Sequence, residues 1–263
     1  VLGSAIGMDK IMMKQVFRGM GYPILPDVFA LRSEWRAAPE AVIARVEQAL
    51  PYPVFCKPAC LGSSIGVSRA NDREGLREAL DLAFTYDRRV LIEKGLEHPI
   101  EVNCSVLGFD SEVRTSVTEM PTTSGGELLD FADKYLTGGG SKGMASLKRV
   151  LPAPIEPELR EKIRSLSVEI FNDMDCKGVV RIDYMYDAAS GGLYITEINT
   201  IPGSLSFYLW EASGIRFDQL MDKLVDLALK RKRESSMKTV SYDQNIFNLG
   251  KGLKGGKMGA KQP

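Results

Sequence analysis

The chain has 263 residues, and its 34 lysines and arginines balance 34 aspartates and glutamates, so no global field favours nucleic acid or an anionic membrane. No apolar run approaches the length of a membrane span and no secretory signal is visible, while the length allows one large or two small domains. Cys56, Cys60, Cys104 and Cys176 sit mostly in apolar, strand-like surroundings, as expected of a reduced cytosolic protein. The chain starts at Val1 and its first methionine is Met8, a start that reads as an excised or processed piece with something upstream.

Taken in order, residues 4–21 read as one helix entered near Asp9. Met12, Val16 and Met20 form its apolar stripe, Met13 and Phe17 lie beside it, and Lys10 and Lys14 fall on another face. Gly19, Gly21 and Pro23 end it, residues 22–29 read as extended, and residues 39–49 form a short helix. Residues 52–58 form a short strand that delivers Lys57 at its end. Gly62-Ser63-Ser64-Ile65-Gly66 follows, a loop with little side-chain bulk whose backbone N–H groups suit phosphate oxygens; an ordinary flexible turn has the same composition. It lacks the Walker A spacing, as does Gly138 to Gly143.

Residues 71–84 read as a helix with Asn71 and Glu74 as a capping pair and Leu76, Leu80 and Phe84 buried. Residues 89–94 form a strand ending in Glu93 and Lys94, and residues 101–107 and 112–118 alternate as a hairpin around Gly108. Residues 120–153, rich in glycine, serine and threonine, carry Lys134 and Tyr135. A loop of that length is usually functional or disordered, and it reads as a lid over a substrate site. Residues 156–174 give the clearest helix, with Leu159, Ile163, Leu166, Ile170 and Met174 as its core stripe. Residues 201–210 make a turn into an aromatic stretch, and residues 216–232 a last amphipathic helix carrying Phe217, Leu220, Met221, Leu224 and Leu227. Residues 233–263 are polar, with too little apolar content to fold alone.

The stretch that organises the rest is a hairpin, residues 179–187 and 193–199 around Gly191-Gly192. Strand side chains alternate faces, so Arg181 and Asp183 share one face of the first arm and Glu197 and Asn199 one face of the second, with Val180, Ile182, Ile195 and Ile198 behind them. Two carboxylates and an amide oxygen suit magnesium, and Arg181 would stabilise negative charge growing beside them. A solvated polar face with one ion pair would show the same residues. Cys56, Cys60 and the lone His98 lack the spacing of a zinc site.

In order, Met8-Asp9-Lys10, the strand ending Lys57-Pro58, Gly62-Ser63-Ser64-Ile65-Gly66, Leu91-Ile92-Glu93-Lys94, Lys134-Tyr135, Arg181-Ile182-Asp183 and Glu197-Ile198-Asn199-Thr200-Ile201-Pro202-Gly203 resemble the D-alanine-D-alanine ligase family of the ATP-grasp superfamily. The resemblance covers about residues 1–229 and is to the family's central and C-terminal domains without its N-terminal domain. It implies an α+β fold in which two small lobes sandwich ATP: residues 21–97 as the central lobe, 98–232 as the C-terminal lobe, and a helical lead-in, 1–20, belonging to the latter. Lys10 and Lys57 would hold the phosphates under the loop carrying Ser63 and Ser64. Glu93, Lys94 and Leu96 would contact adenine and Glu101 the ribose. Asp183, Glu197 and Asn199 would bind two magnesium ions, with manganese as a substitute.

The implied reaction is phosphoryl transfer to a carboxylate, then attack by an amine. Arg181 would stabilise the oxyanion, Ser63, Lys134 and Tyr135 would orient substrates, and Gly203, Tyr208 and Leu209 would face the acceptor. The implied substrates are amino acids joined into a D-alanyl dipeptide for peptidoglycan, and the implied homodimer forms through the N-terminal domain. Tyr208 stands where the family pattern places a serine, which points to a different or larger acceptor or to a phenol replacing the hydroxyl. Two other readings stay open: an ATP-grasp ligase with another acceptor, and a nucleotide-binding module inactive without its N-terminal domain.

Overall fold

Alternating β-branched and aromatic runs build two antiparallel sheets, each backed by helices, in a computed structural model that describes residues 2–121 and 149–237. The first sheet has the order β1-β4-β2-β3, from β1 (Asp27–Leu31), β2 (Val54–Pro58), β3 (Ser68–Ala70) and β4 (Arg89–Lys94). Helices α3 (Arg32–Ala37), α4 (Pro39–Ala49) and α5 (Arg73–Tyr86) complete this lobe. Its core joins Trp35, Ile43 and Val46 to Val54, Leu76, Leu80 and Ile92. The second sheet has the order β7-β6-β5-β8-β9, from β5 (Ile100–Phe109), β6 (Glu112–Pro121), β7 (Arg149–Val150), β8 (Gly178–Asp187) and β9 (Gly192–Asn199). Here α6 (Pro157–Asp173) packs Ile163, Ile170 and Phe171 against Val102, Val106, Ile182 and Ile195.

The expected lead-in helix is two helices, α1 (Leu2–Gly7) and α2 (Lys10–Gly19), because the Asp9 side chain accepts from the backbone N–H groups of Ile11 and Met12 and starts a new helix. The expected stripe is also one position out. Met13 and Phe17 are fully buried, whereas Met12 and Met20 are 44% and 47% exposed. Phe17 and Met13 are spaced i, i+4, so they fix the buried face, and Lys14 turns inward with them because a carboxylate waits there.

Helix α5 is capped by Asp72, whose side chain accepts from Gly75 N at 2.8 Å, and not by Asn71. Strand β3 and helix α3 are too short to carry a periodic signal. The presumed loop 120–153 is strand at both ends: Met120 pairs with Val150 and Pro121 with Arg149. Its middle, with Lys134 and Tyr135, lies outside the described residues. The last helices are α7 (Phe207–Glu211) and α8 (Phe217–Ser236). Helix α8 continues through Ser236, so the polar tail does not begin at residue 233, and residues 238–263 lie outside the description. Only Leu220 of its apolar residues is fully buried, and Phe217 is 48% exposed. Among the described residues no helix is long and apolar enough to cross a membrane.

In the central hairpin, Ile182 pairs with Ile198 and Asp183 with Glu197, but Tyr184 pairs with Ile195. Thr196 is therefore an extra residue, and its hydroxyl donates to Asp183 O at 2.9 Å. Strict alternation would put Ile195 on the same face as Glu197; the bulge lets Ile195 and Ile198 both enter the core.

Candidate active site

The registers of the second sheet place Glu119, Asn103, Asp183 and Glu197 opposite one another across four strands, so the four share one face. The next row on that face is Ser105, Arg181 and Asn199. Arg181 grips Asp183 with two parallel bonds, Nε to Oδ1 at 2.6 Å and Nη2 to Oδ2 at 2.8 Å, and Asn199 Nδ2 donates to Oδ2 at 2.9 Å. Burial pulls the Arg181 pKa down, and the Asp183 carboxylate more than offsets that, so its guanidinium stays charged. The three expected cation ligands are thus brought together. Asp183 and Glu197 keep side-chain exposures of 18% and 32%, and a half-turn of the Asn199 amide offers oxygen in place of nitrogen. Two carboxylates and an amide oxygen on one face fit a hard divalent cation. Among the described residues no three of histidine, cysteine, aspartate and glutamate converge, so the fit rests on the amide as third donor.

The opposite wall carries lysines. Lys10, at the start of α2, donates to Leu61 O at 2.7 Å and to Glu197 Oε1 at 3.0 Å, joining the glycine-rich segment to the carboxylate row. Asp9 pairs with Arg89 of β4, and Lys10 N donates to Ala59 O at 2.8 Å, so the helix start is fixed to the first sheet. Lys57 Nζ donates to Glu93 Oε2 at 2.5 Å, and Lys14 takes Oε1 of the same carboxylate. Burial pushes the Glu93 carboxyl up, but the two lysines outweigh it and hold it below the usual range. Burial pulls the Lys57 ammonium down, but Glu93, then Glu197 and Glu101, outweigh it and hold it above its ordinary value. In the loop, Ser63 and Ser64 have φ of 56° and 58°, left-handed conformations uncommon outside glycine, and Ile65 N donates back to Gly62 O at 3.2 Å.

A cavity of about 470 Å³ opens between the sheets, with Phe55, Lys57 and Glu93 on one wall, Glu101, Met120 and Met185 on the other, and the connecting segment carrying Lys94 and Leu96 at its back. The residues expected around a nucleotide base and sugar therefore line one space. Glu93 also has a part the sequence did not assign, as the shared anchor of two lysines.

The acceptor end departs most from expectation. After Gly203, residues Ser204, Leu205 and Ser206 have φ of 49°, 54° and 51°, a strained left-handed turn leading into α7. The Leu209 side chain is fully buried in the core and so faces no substrate. The Tyr208 hydroxyl donates to Glu119 Oε2 at 2.9 Å, and Arg149 stacks 3.8 Å from the ring centroid while pairing with Glu119 Oε1 at 3.5 Å. Asn103 Nδ2 reaches the same carboxylate at 3.3 Å. Sequence reasoning missed Glu119, Asn103, Arg149 and Lys14. The available signals were the i, i+2 spacing of Asn103 from Glu101 and the i, i+4 spacing of Lys14 from Lys10.

A cleft between two antiparallel sheets, with lysines on one wall and paired carboxylates on the other, places this chain among the ATP-grasp folds. A family model described as D-ala D-ala ligase C-terminus matches residues 16–226. The chain belongs to the D-alanine-D-alanine ligase family. It is 41% identical over 239 residues to the D-alanine-D-alanine ligase of Acetivibrio thermocellus, covering 89% of this chain and 61% of that protein. It is 41% identical over 237 residues to that of Deinococcus radiodurans, covering 88% and 67%. The crystal structure of VanG D-Ala:D-Ser ligase from Enterococcus faecalis matches with a TM-score of 0.72 at 32% identity, over 86% of this chain and 63% of that one. The D-alanine-D-alanine ligase from Coxiella burnetii shares the fold at a TM-score of 0.72 and 24% identity, over 90% of this chain and 60% of that one. The chain thus spans about three fifths to two thirds of the length of these relatives.

Proposed function

We propose that the chain carries the nucleotide and catalytic machinery of an ADP-forming ligase that joins two D-amino acids, D-alanine foremost, into a dipeptide for peptidoglycan. The observation that carries this reading is the face-to-face placement of Asp183, Glu197 and Asn199 against Lys10 and Lys57, beside a cavity sized for a nucleoside. In this reading Lys10, Lys57, Lys134 and the loop with Ser63 and Ser64 hold ATP phosphates. Glu93, Lys94 and Leu96 border the adenine, and Glu101 meets the ribose.

Magnesium, held by Asp183, Glu197 and Asn199, would supply charge neutralisation at the phosphates. A carboxylate oxygen of the first substrate takes the γ-phosphoryl group as ADP leaves. The second substrate's amine then attacks the carbonyl, forms the amide, expels inorganic phosphate and loses a proton. Arg181, locked in place by Asp183, is poised to meet the oxyanion of that second step, with Ser63 and Tyr135 orienting the substrates. Gly203, Tyr208 and the backbone at Leu209 border the acceptor.

One observation favours a second acceptor class. The Tyr208 hydrogen is already donated to Glu119, so the phenol does not simply replace a serine hydroxyl, and the VanG relative is titled a D-Ala:D-Ser ligase. ADP release and product mass, screened across D-amino acids and hydroxy acids, test both readings. D-alanine-dependent ADP release that Asp183→Asn abolishes is the expected result, preference for D-serine would move the acceptor, and absence of nucleotide binding would remove the whole reading.

A further inference from the structure

Glu93 is 1% exposed and receives a lysine on each carboxylate oxygen. The two lysines differ in where they stand. Lys57, at the end of β2, lines the cavity between the sheets; Lys14, one helical turn after Lys10 on α2, is 1% exposed and reaches Glu93 from behind the cavity wall. Asp27, opposite Glu93 in the β1–β4 pair, adds negative charge near Lys14 and is itself held by Arg18. Lys57 feels Glu197 and Glu101 across the cleft as well as Glu93, so it stands between its own anchor and the wall where phosphates and their cation are placed.

A buried carboxylate stripped of its only counter-charge is strongly disfavoured, so a lysine that alone neutralised Glu93 could not leave it. Two lysines on one carboxylate change that balance. We propose that Lys14 is a positioning residue: by neutralising Glu93 from behind the cleft, it frees Lys57 to exchange that carboxylate for the phosphates of a bound nucleotide. This rests on the nucleotide reading above and adds the release of Lys57 to it. Helix α2 then serves the site twice, through Lys10 at the glycine-rich segment and through Lys14 at Glu93.

The test separates phosphate-dependent binding from general damage to the pocket. Affinities of Mg-ADP and of adenosine, which has no phosphate for Lys57 to meet, are measured by calorimetry for the unaltered chain and for Lys14→Met, with thermal unfolding as the check on folding. Mg-ADP affinity is expected to fall about tenfold or more while adenosine affinity holds. Equal losses for both ligands would reduce Lys14 to a structural staple and overturn the proposal, as would no loss for either.

If Lys14→Met fails to fold, the double variant Lys14→Met/Glu93→Gln carries the test. Whatever the Glu93 carboxylate offers an adenine ring is then missing for both ligands alike, and with nothing restraining Lys57 the ADP-to-adenosine affinity ratio should rise several-fold. A ratio at or below that of the unaltered chain overturns the proposal. Should the unaltered chain bind neither ligand, the nucleotide reading itself falls and takes this role with it.

Discussion

The Tyr208 phenol is pressed from two sides. Burial first, and then the charge of Glu119, push its pKa up to about 12, against the opposing pull of Arg181 and Arg149. The folded value thus lies above the roughly 10 of an unfolded tyrosine, so the protonated phenol contributes stability that is complete below about pH 10 and lost as pH rises through about 12. Tyr208→Phe should flatten that part of the alkaline limb, and at neutral pH cost about 1 kcal/mol for the missing bond to Glu119. The absorbance difference between the two proteins, followed with pH, isolates this phenol from Tyr52, which burial and Glu47 also raise to about 12. A difference signal rising near pH 10 would show the Glu119 bond to be absent in solution. Lys57, Asp183 and Glu197 were legible in the sequence because each sits where strand alternation or a strand end exposes it. Lys14 and Glu119 were not, because a charge on a helix or strand is normally solvated, and only the tertiary partner turns it inward.

At the scale of elements, the hairpin carries one residue of irregularity. Deleting Thr196 would place Ile195 directly before Glu197 and restore strict pairing with every face kept, Ile195 and Ile198 on the core side and Glu197 and Asn199 on the other. The deletion removes the Thr196 hydroxyl bond to Asp183 O, worth about 1 kcal/mol. The expected outcome is a small fall in melting temperature with Mn²⁺ binding retained by paramagnetic resonance; loss of metal binding in a folded protein would mean that the local twist of the bulge, and not alternation alone, aims the ligand set.

The glycine-rich loop has its own constraint. Gly66 has φ of 70°, and a Cβ there would come within 2.6 Å of Tyr86 Cδ2 and 2.9 Å of Pro58 Cγ. Gly66→Ala should therefore strain the loop by about 1–3 kcal/mol and weaken Mg-ADP more than adenosine. Equal weakening of both would argue that the loop does not meet phosphate. The strands and long helices were readable because their periods are regular. The bulge, the break at Asp9 and the closing pair β6–β7 were not, since each is set by a local bond or a distant partner and not by repetition.

For the whole molecule, α2 is the connecting strut. Its Met13 and Phe17 belong to the core of the second sheet, while Lys10 and Lys14 reach the glycine-rich segment and β4 of the first. The order of motifs along the chain let this two-lobed plan be anticipated; the strut's second lysine, which fastens it to β4, was invisible before the fold. A ligand that binds the folded cleft and not the unfolded chain stabilises both lobes by mass action, about 2.7 kcal/mol at a hundred times its dissociation constant. For a folded body of this size that corresponds to a rise in melting temperature of roughly 5–10 °C. With a non-hydrolysable ATP analogue the rise should require magnesium, because Asp183 and Glu197, ion-paired to Arg181 and Lys10, otherwise bring negative charge to the phosphate side. Asp183→Asn/Glu197→Gln should abolish the magnesium-dependent part and keep whatever shift the lysines and cavity supply alone. An equal rise with and without magnesium in the unaltered protein would mean that the two carboxylates neutralise Arg181 and Lys10 and hold no cation.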